Sequence, residues 1–148
     1  MVLAVRREIV VKRNLIMKIL IVDDELAVKG LVKQIFKKEI KNKIFEFDFA
    51  FSAEEAIDIL HEKKSSDVSL MLADINMPGI SGLQLAKVMK EKYPHIRVMI
   101  LTAYGDKNNT KAAKDQGVTD FFIKPIDFEL LKEKLLEIQN QRIGIQSP

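Results

Sequence analysis

The chain has no cysteine. That excludes disulfides, thiolate metal sites and cysteine nucleophiles, and it fits a reducing cytoplasm. Histidine is almost missing too: His61 and His95 are the only two, too few and too far apart for a zinc site. No apolar run approaches the ~20 residues of a membrane span, and the opening Met1-Val-Leu-Ala-Val-Arg-Arg lacks the apolar stretch of a secretory signal. The expected location is therefore cytoplasmic, with no membrane partner. Internal repeats, low-complexity tracts and Pro/Gly/Ser-rich linkers are also absent, so 148 residues read as one domain with one real core. No glycine-rich loop follows the first apolar run, where Asp23-Asp24-Glu25 would repel a phosphate unless a cation intervened, which argues against a nucleotide-binding module.

Charge is plentiful but unevenly placed. Residues 1–43 carry 11 basic and 5 acidic side chains, residues 44–148 carry 13 and 16, and the net is +3. Lys29, Lys33, Lys37 and Lys41 recur at helical spacing, the pattern of a solvated helix face, so nucleic acid is not an expected partner.

Five short apolar runs alternate with five helical stretches, which predicts an α/β fold: a parallel sheet wrapped on both faces. Lys18–Val22, Val68–Ala73 and Arg97–Leu101 are nearly continuous apolar runs, as strands covered on both sides require, and belong in the middle. In the second run Phe45, Phe47, Phe49 and Phe51 alternate with Glu46, Asp48 and Ala50, which marks an edge strand. The fifth, Asp120–Ile123, is short and soon meets Pro125, also tolerable near an edge. Val28, Leu31, Val32, Ile35 and Phe36 form an apolar stripe on the first helix, and Phe128, Leu131, Leu135 and Ile138 one on the last. Capping boxes, Ser52 with Glu55 and Ser81 with Gln84, predict the starts of the second and third helices. The fourth helix, near residues 106–116, offers only Ala112 and Ala113 as apolar anchors and is the element expected to move. Residues 1–16 form an N-terminal extension outside the alternation, unless translation begins at Met17. The domain spans 17–140, and 141–148 read as a frayed tail.

Four of the five apolar runs lead directly into polar residues: Asp23 and Asp24, then Asp74, then Thr102, then Lys124. In an open parallel sheet all C-terminal strand ends share one edge, and ligands bind where the strand order reverses, so these residues can converge. A lone aspartate at a strand end is usually a cap or loop residue, and a lone threonine or lysine means little. The set means more. Three clustered carboxylates raise each other's pKa unless a cation sits among them, and oxygen-only ligands favour Mg²⁺, with Mn²⁺ possible chemically. A hydroxyl and an ammonium beside them are suited to holding phosphoryl oxygens, with a carboxylate as nucleophile.

Together, Ile21-Val-Asp-Asp-Glu25, Asp74-Ile-Asn-Met-Pro-Gly-Ile-Ser-Gly82, Leu101-Thr-Ala103 and Gly117-Val-Thr-Asp-Phe-Phe-Ile-Lys-Pro125 resemble the receiver domains of bacterial two-component response regulators, including the stand-alone chemotaxis and phosphorelay types. The resemblance runs from about Met17 to Asn140. It implies a five-stranded, flavodoxin-like doubly wound (βα)5 fold with strand order 2-1-3-4-5. It also implies that Asp74 is the phosphoacceptor, that Asp24 and Asp74 bind Mg²⁺ directly, Asp23 through water, and that the Asn76 backbone carbonyl completes the protein's share of the shell. Lys124 and Thr102 would hold phosphoryl oxygens, Thr102 and Phe121 would act as the switch pair, and Asn76 and Tyr104 would modulate acyl-phosphate lifetime. The family often has tyrosine where Phe121 stands; the missing hydroxyl leaves coupling to the fourth helix to packing alone. The implied partners are a histidine kinase or phosphotransfer protein docking beside the first helix, and a protein target reading the face made by the fourth helix, fifth strand and fifth helix. The chain would act as a monomer or a weak phosphorylation-dependent dimer, alone or as part of a larger regulator.

Two rival readings remain at this stage. Mg²⁺-dependent aspartyl-phosphate phosphatases of the haloacid dehalogenase type use a similar set, but Asn76 stands where their second acid belongs, and there is no room for a lid. A locked, unphosphorylated structural receiver is the other; such chains usually lose an acid or the lysine, and this one keeps them.

Overall fold

The computed structural model describes residues 16–62, 67–118 and 120–144. Most of the expected extension (residues 1–15) and the end of the tail (145–148) therefore lie outside the described residues. Strands β1 (Met17–Val22), β2 (Phe45–Ala50), β3 (Leu70–Asp74), β4 (Arg97–Thr102) and β5 (Asp120–Ile123) form one parallel sheet in the order β2-β1-β3-β4-β5. Helix α1 (Ala27–Ile35) has a one-turn continuation at Lys37–Lys41; α2 (Ala53–Glu62), α3 (Gly82–Lys92), α4 (Lys107–Asp115) and α5 (Phe128–Arg142) follow. The strand order matches the expectation, with the alternating phenylalanine strand at one edge and the short fifth strand at the other.

The pleat divides the core in two. Leu20, Val22, Met71, Ala73 and Ile100 point toward α2, α3 and α4, where Ala56, Leu60, Leu85, Met89 and Ala113 meet them. Ile19, Ile21, Leu72, Met99 and Leu101 point toward α1 and α5 and pack on Val28, Val32, Phe36, Leu131 and Leu135. Complete burial of a Leu or Ile contributes about 1.5–3 kcal/mol, so these two layers fix the sheet. A consequence of doubly wound packing is that every strand delivers its C-terminal end to the same open edge.

Several details differ from the sequence reading. Strand β3 begins two residues later than expected and takes in Asp74, because its ladder starts where Leu70 pairs with Ile19 and ends where Asp74 pairs with Leu101. Leu31 is 44% exposed: α1 rests on Val28, Val32 and Phe36, which leaves Leu31 on the shoulder. In α4 only Ala113 is buried; Ala112 is partly exposed. Helix α5 continues to Arg142, whose guanidinium donates to the Gln139 Oε1 at 2.8 Å. The Ser81–Gln84 capping box is complete, whereas Glu55 reaches one residue further back, accepting from the Phe51 N–H at 3.2 Å while Ser52 Oγ accepts from the Glu55 N–H at 3.0 Å. Among the described residues no helix is long and apolar enough to cross a membrane.

Candidate functional site

Asp74 is the last residue of β3 and only 1% exposed. Gly82 explains how its loop folds so tightly: a Cβ there would stand 2.3 Å from the Asp74 carbonyl oxygen and 2.6 Å from the Ile75 Cα, so only a hydrogen fits. The Ile75 N–H, bonded to the Leu101 carbonyl at 2.9 Å, carries the sheet one step further, and the Asn76 N–H returns to donate to Asp74 Oδ1 at 2.9 Å. The other carboxylate oxygen, Oδ2, lies 2.5 Å from the Lys124 ammonium, which follows directly after β5. Both oxygens of a nearly inaccessible carboxylate are thus engaged, the arrangement a buried charge requires.

Two more acids complete the cluster. One carboxylate oxygen each from Asp23, Asp24 and Asp74 lies within 4.8 Å of the others. Asp24 is exposed; Asp23 is 5% exposed, and its Oδ1 accepts from the Glu25 N–H at 2.9 Å. Burial holds the Asp23 carboxyl above its ordinary range. The Glu25 N–H opposes that, Asp74 adds to it, and Lys124 partly offsets it. A tight group of hard oxygen donors with a shared excess of negative charge fits a Mg²⁺-sized cation.

Thr102, the last residue of β4, is 4% exposed, and its hydroxyl makes contacts toward α4. Its Oγ1 lies 3.4 Å from both the Ala103 carbonyl and Thr110 Oγ1, while the Thr110 hydroxyl donates to the Asp106 carbonyl at 2.7 Å. Phe121 is half-buried against the α2–α4 layer, and the Lys114 ammonium of α4 sits 5.7 Å from its ring centroid. The expectation that packing alone couples Phe121 to α4 is therefore corrected: a cation–π contact joins it. Tyr104 is 88% exposed in the loop after β4. Asp23, Asp24, Asp74, Asn76 and Lys124 meet directly, while Thr102 and Phe121 contact Thr110 and Lys114 of α4 and Tyr104 borders the hollow beside that helix. Thr110 and Lys114 were missed from sequence, since no local spacing links them to Thr102 and Phe121.

Beside the cluster lies a groove of about 450 Å³ between α1 and the start of α5, lined by Asp23, Val28, Leu31, Lys124, Ile126 and Phe128. Near α4 a second hollow of about 620 Å³ is lined by Tyr104, Lys107, Thr110, Lys111, Lys114 and Ile123.

Comparison with known proteins agrees with this geometry. The family model described as "Response regulator receiver domain" matches residues 19–136. Sporulation initiation phosphotransferase F of Bacillus subtilis is 34% identical over 116 residues, which cover 78% of this chain and 88% of that protein. Among solved structures, a response regulator receiver domain protein from Clostridium thermocellum has a TM-score of 0.74 at 25% identity, covering 88% of this chain and 99% of the other. The receiver domain of Ssk1, solved with the histidine phosphotransfer signaling protein Ypd1 of Saccharomyces cerevisiae, has a TM-score of 0.73 at 20% identity, covering 86% and 91%, a likeness of fold.

Proposed function

Since the chain belongs to the response regulator receiver domain family, we propose that Asp74 is its phosphoacceptor and that the domain works as a cytoplasmic switch, loaded by a histidine kinase or a phosphotransfer protein. The observation carrying this is the buried Asp74 carboxylate paired with Lys124 at 2.5 Å beside Asp23 and Asp24. An Asp74 oxygen attacks phosphorus as the P–N bond to the donor histidine breaks, and the imidazole leaves with the bonding pair and is reprotonated. Water later cleaves the acyl phosphate, restoring the carboxylate. Asp23, Asp24, Asp74 and the Asn76 carbonyl would hold Mg²⁺, which supplies charge neutralisation for the incoming phosphoryl oxygens. Lys124 shifts from Asp74 Oδ2 to a phosphoryl oxygen, and Asn76 and Tyr104, flanking the site, set how readily water reaches it.

The new group carries about −1.5 to −2 charges at neutral pH and presents fresh acceptor oxygens. Thr102 answers them by leaving Thr110 and closing inward, Phe121 follows into the space released, and α4 repacks. The α4-β5-α5 face, with exposed Tyr104, Ile123 and Leu130, is then the surface a target reads. The groove between α1 and α5 suits the phosphodonor, because it opens on Asp23 and Lys124. The switch acts as a monomer or a weak phosphorylation-dependent dimer.

The test is incubation with acetyl phosphate and Mg²⁺, read by intact mass beside Asp74→Asn. One phosphoryl group gained by the parent alone, and lost with EDTA, is expected. Equal labelling of the variant would displace Asp74 from the role, and no labelling under conditions that modify another receiver would favour a locked domain.

A further inference from the structure

We propose that the open edge of β2 is a docking site for an extended, acidic segment of a partner protein. In a parallel ladder the backbone groups of successive residues turn to alternate sides. The Ile44 and Ala50 carbonyls accept from Met17 and Asp23 of the β1 side, each at 3.0 Å, so the even-numbered positions face β1. Phe45, Phe47 and Phe49 therefore direct their N–H and C=O groups to the other side, where no strand pairs among the described residues. An unpaired row of this kind is a template for another strand.

The same three phenylalanines floor a groove of about 700 Å³ beside α1 and its continuation. Phe47 and Phe49 are half-exposed, and the rings pack in series with Phe36 at centroid separations of 5.1–6.4 Å. Four exposed lysines, Lys33, Lys37, Lys41 and Lys43, line it against one acid, Glu46. Lys43 also holds a left-handed backbone (φ 55°), a conformation that asparagine or glycine adopts at less cost. A strand laid along β2 would bury alternate apolar side chains on the rings and carry acids to the lysines.

Charge selects the occupant. Residues 1–15 carry Arg6, Arg7, Lys12 and Arg13 against Glu8 alone, the same sign as the groove's lysines, so by charge they complement it poorly. A second copy would bring the same lysines face to face. A nucleic acid would answer the charge, but it cannot use the backbone row.

The probe is a blocked peptide of about ten residues alternating isoleucine with glutamate, titrated into the ¹⁵N-labelled full chain beside its lysine counterpart. Amide shifts at Phe45, Phe47 and Phe49 and at least about tenfold tighter binding of the acidic peptide are expected, with the preference erased by Lys37→Glu combined with Lys41→Glu. Lys43→Asn should weaken binding while leaving the melting temperature at or above the parent's, a signature that mere damage to the fold would not give. Asp74→Asn should bind as the parent does, which separates this inference from the phosphoacceptor reading. Equal or absent binding of the two peptides overturns the proposal, as does tighter binding of a single-stranded oligonucleotide at the same residues. Slow hydrogen exchange at the three amides in the free chain also overturns it, pointing to the N-terminal segment if independent of concentration and to a second copy if not.

Discussion

Replacing glycine with alanine should change stability in opposite directions at two positions. Gly30 lies in the exposed middle of α1 with nothing within 4 Å of a would-be Cβ, so Gly30→Ala trades a costly backbone entropy loss for the best helix former. It should stabilise by about 0.5–1 kcal/mol. Gly82 opens α3, where alanine gains no more than that, yet its Cβ meets the Asp74 carbonyl at 2.3 Å against a practical floor of 3.0 Å. A separation of about 0.7 Å must be found between two backbones, and the Ser81–Gln84 box together with the bond from the Gly82 N–H to the Ile75 carbonyl oxygen at 3.1 Å pins both. Overpacking of this kind costs typically about 1–3 kcal/mol and more where backbone resists, so Gly82→Ala should lose about 2–4 kcal/mol, or roughly 10 °C in Tm. The backbone that must give is that of Asp74 itself, and a misplacement approaching 1 Å should slow phosphorylation by about tenfold or more. Urea unfolding at 25 °C, compared at equal m-values, measures both variants. A Gly82→Ala protein within about 0.5 kcal/mol of the parent, or a destabilised Gly30→Ala, would refute the reasoning.

Asp23→Asn should melt above the parent at pH 7 in EDTA. The folded-state pKa of Asp23 is raised from 3.8, chiefly by burial, so the stability this group contributes is complete below that value and lost as pH rises through the folded pKa; the two proteins should converge as the pH falls toward 4. Millimolar Mg²⁺ should then raise the parent's Tm more than the variant's. Lys132→Met should cost about 1–3 kcal/mol in the same unfolding assay, because it removes the ammonium 3.3 Å from the buried Glu39 carboxylate and the donor to the Ile35 carbonyl; adding Glu39→Leu should recover most of it. Thr110→Val deletes the hydroxyl that Thr102 contacts and should raise the acetyl-phosphate labelling rate about twofold, the worth of roughly 0.5 kcal/mol, while Thr110→Ser should match the parent.

Much of the fold was legible because its signals are local. A fully covered strand must be apolar almost throughout, and Lys18–Val22 and Arg97–Leu101 are, past the basic residue that opens each; a half-covered edge strand must alternate, and the phenylalanines of β2 do. The site was legible for a topological reason: parallel strands deliver Asp23, Asp74, Thr102 and Lys124 to one edge whatever their separation in sequence. What remained hidden depends on how each helix is rotated on the sheet. Leu31 belongs to the apolar stripe of α1 by spacing, yet the helix settles on Val28, Val32 and Phe36 and leaves it out. The Glu39–Lys132 pair joins residues 93 apart through the packing of α1 and α5, and no periodicity announces it.

The contacts between the site and α4 were hidden for the same reason, and they bear on the proposal that this helix is the one to move. Its only fully buried residue is Ala113, which brings little area to the core. What ties it to the strands of the site is polar and long: Thr102 to Thr110 at 3.4 Å and Lys114 to the Phe121 ring at 5.7 Å. Contacts of that kind are worth about 1 kcal/mol or less each. A phosphoryl group drawing Thr102 inward, as proposed, need therefore offset little to release them, whereas α1, α3 and α5 each rest on two or more buried side chains that no local charge change would shift.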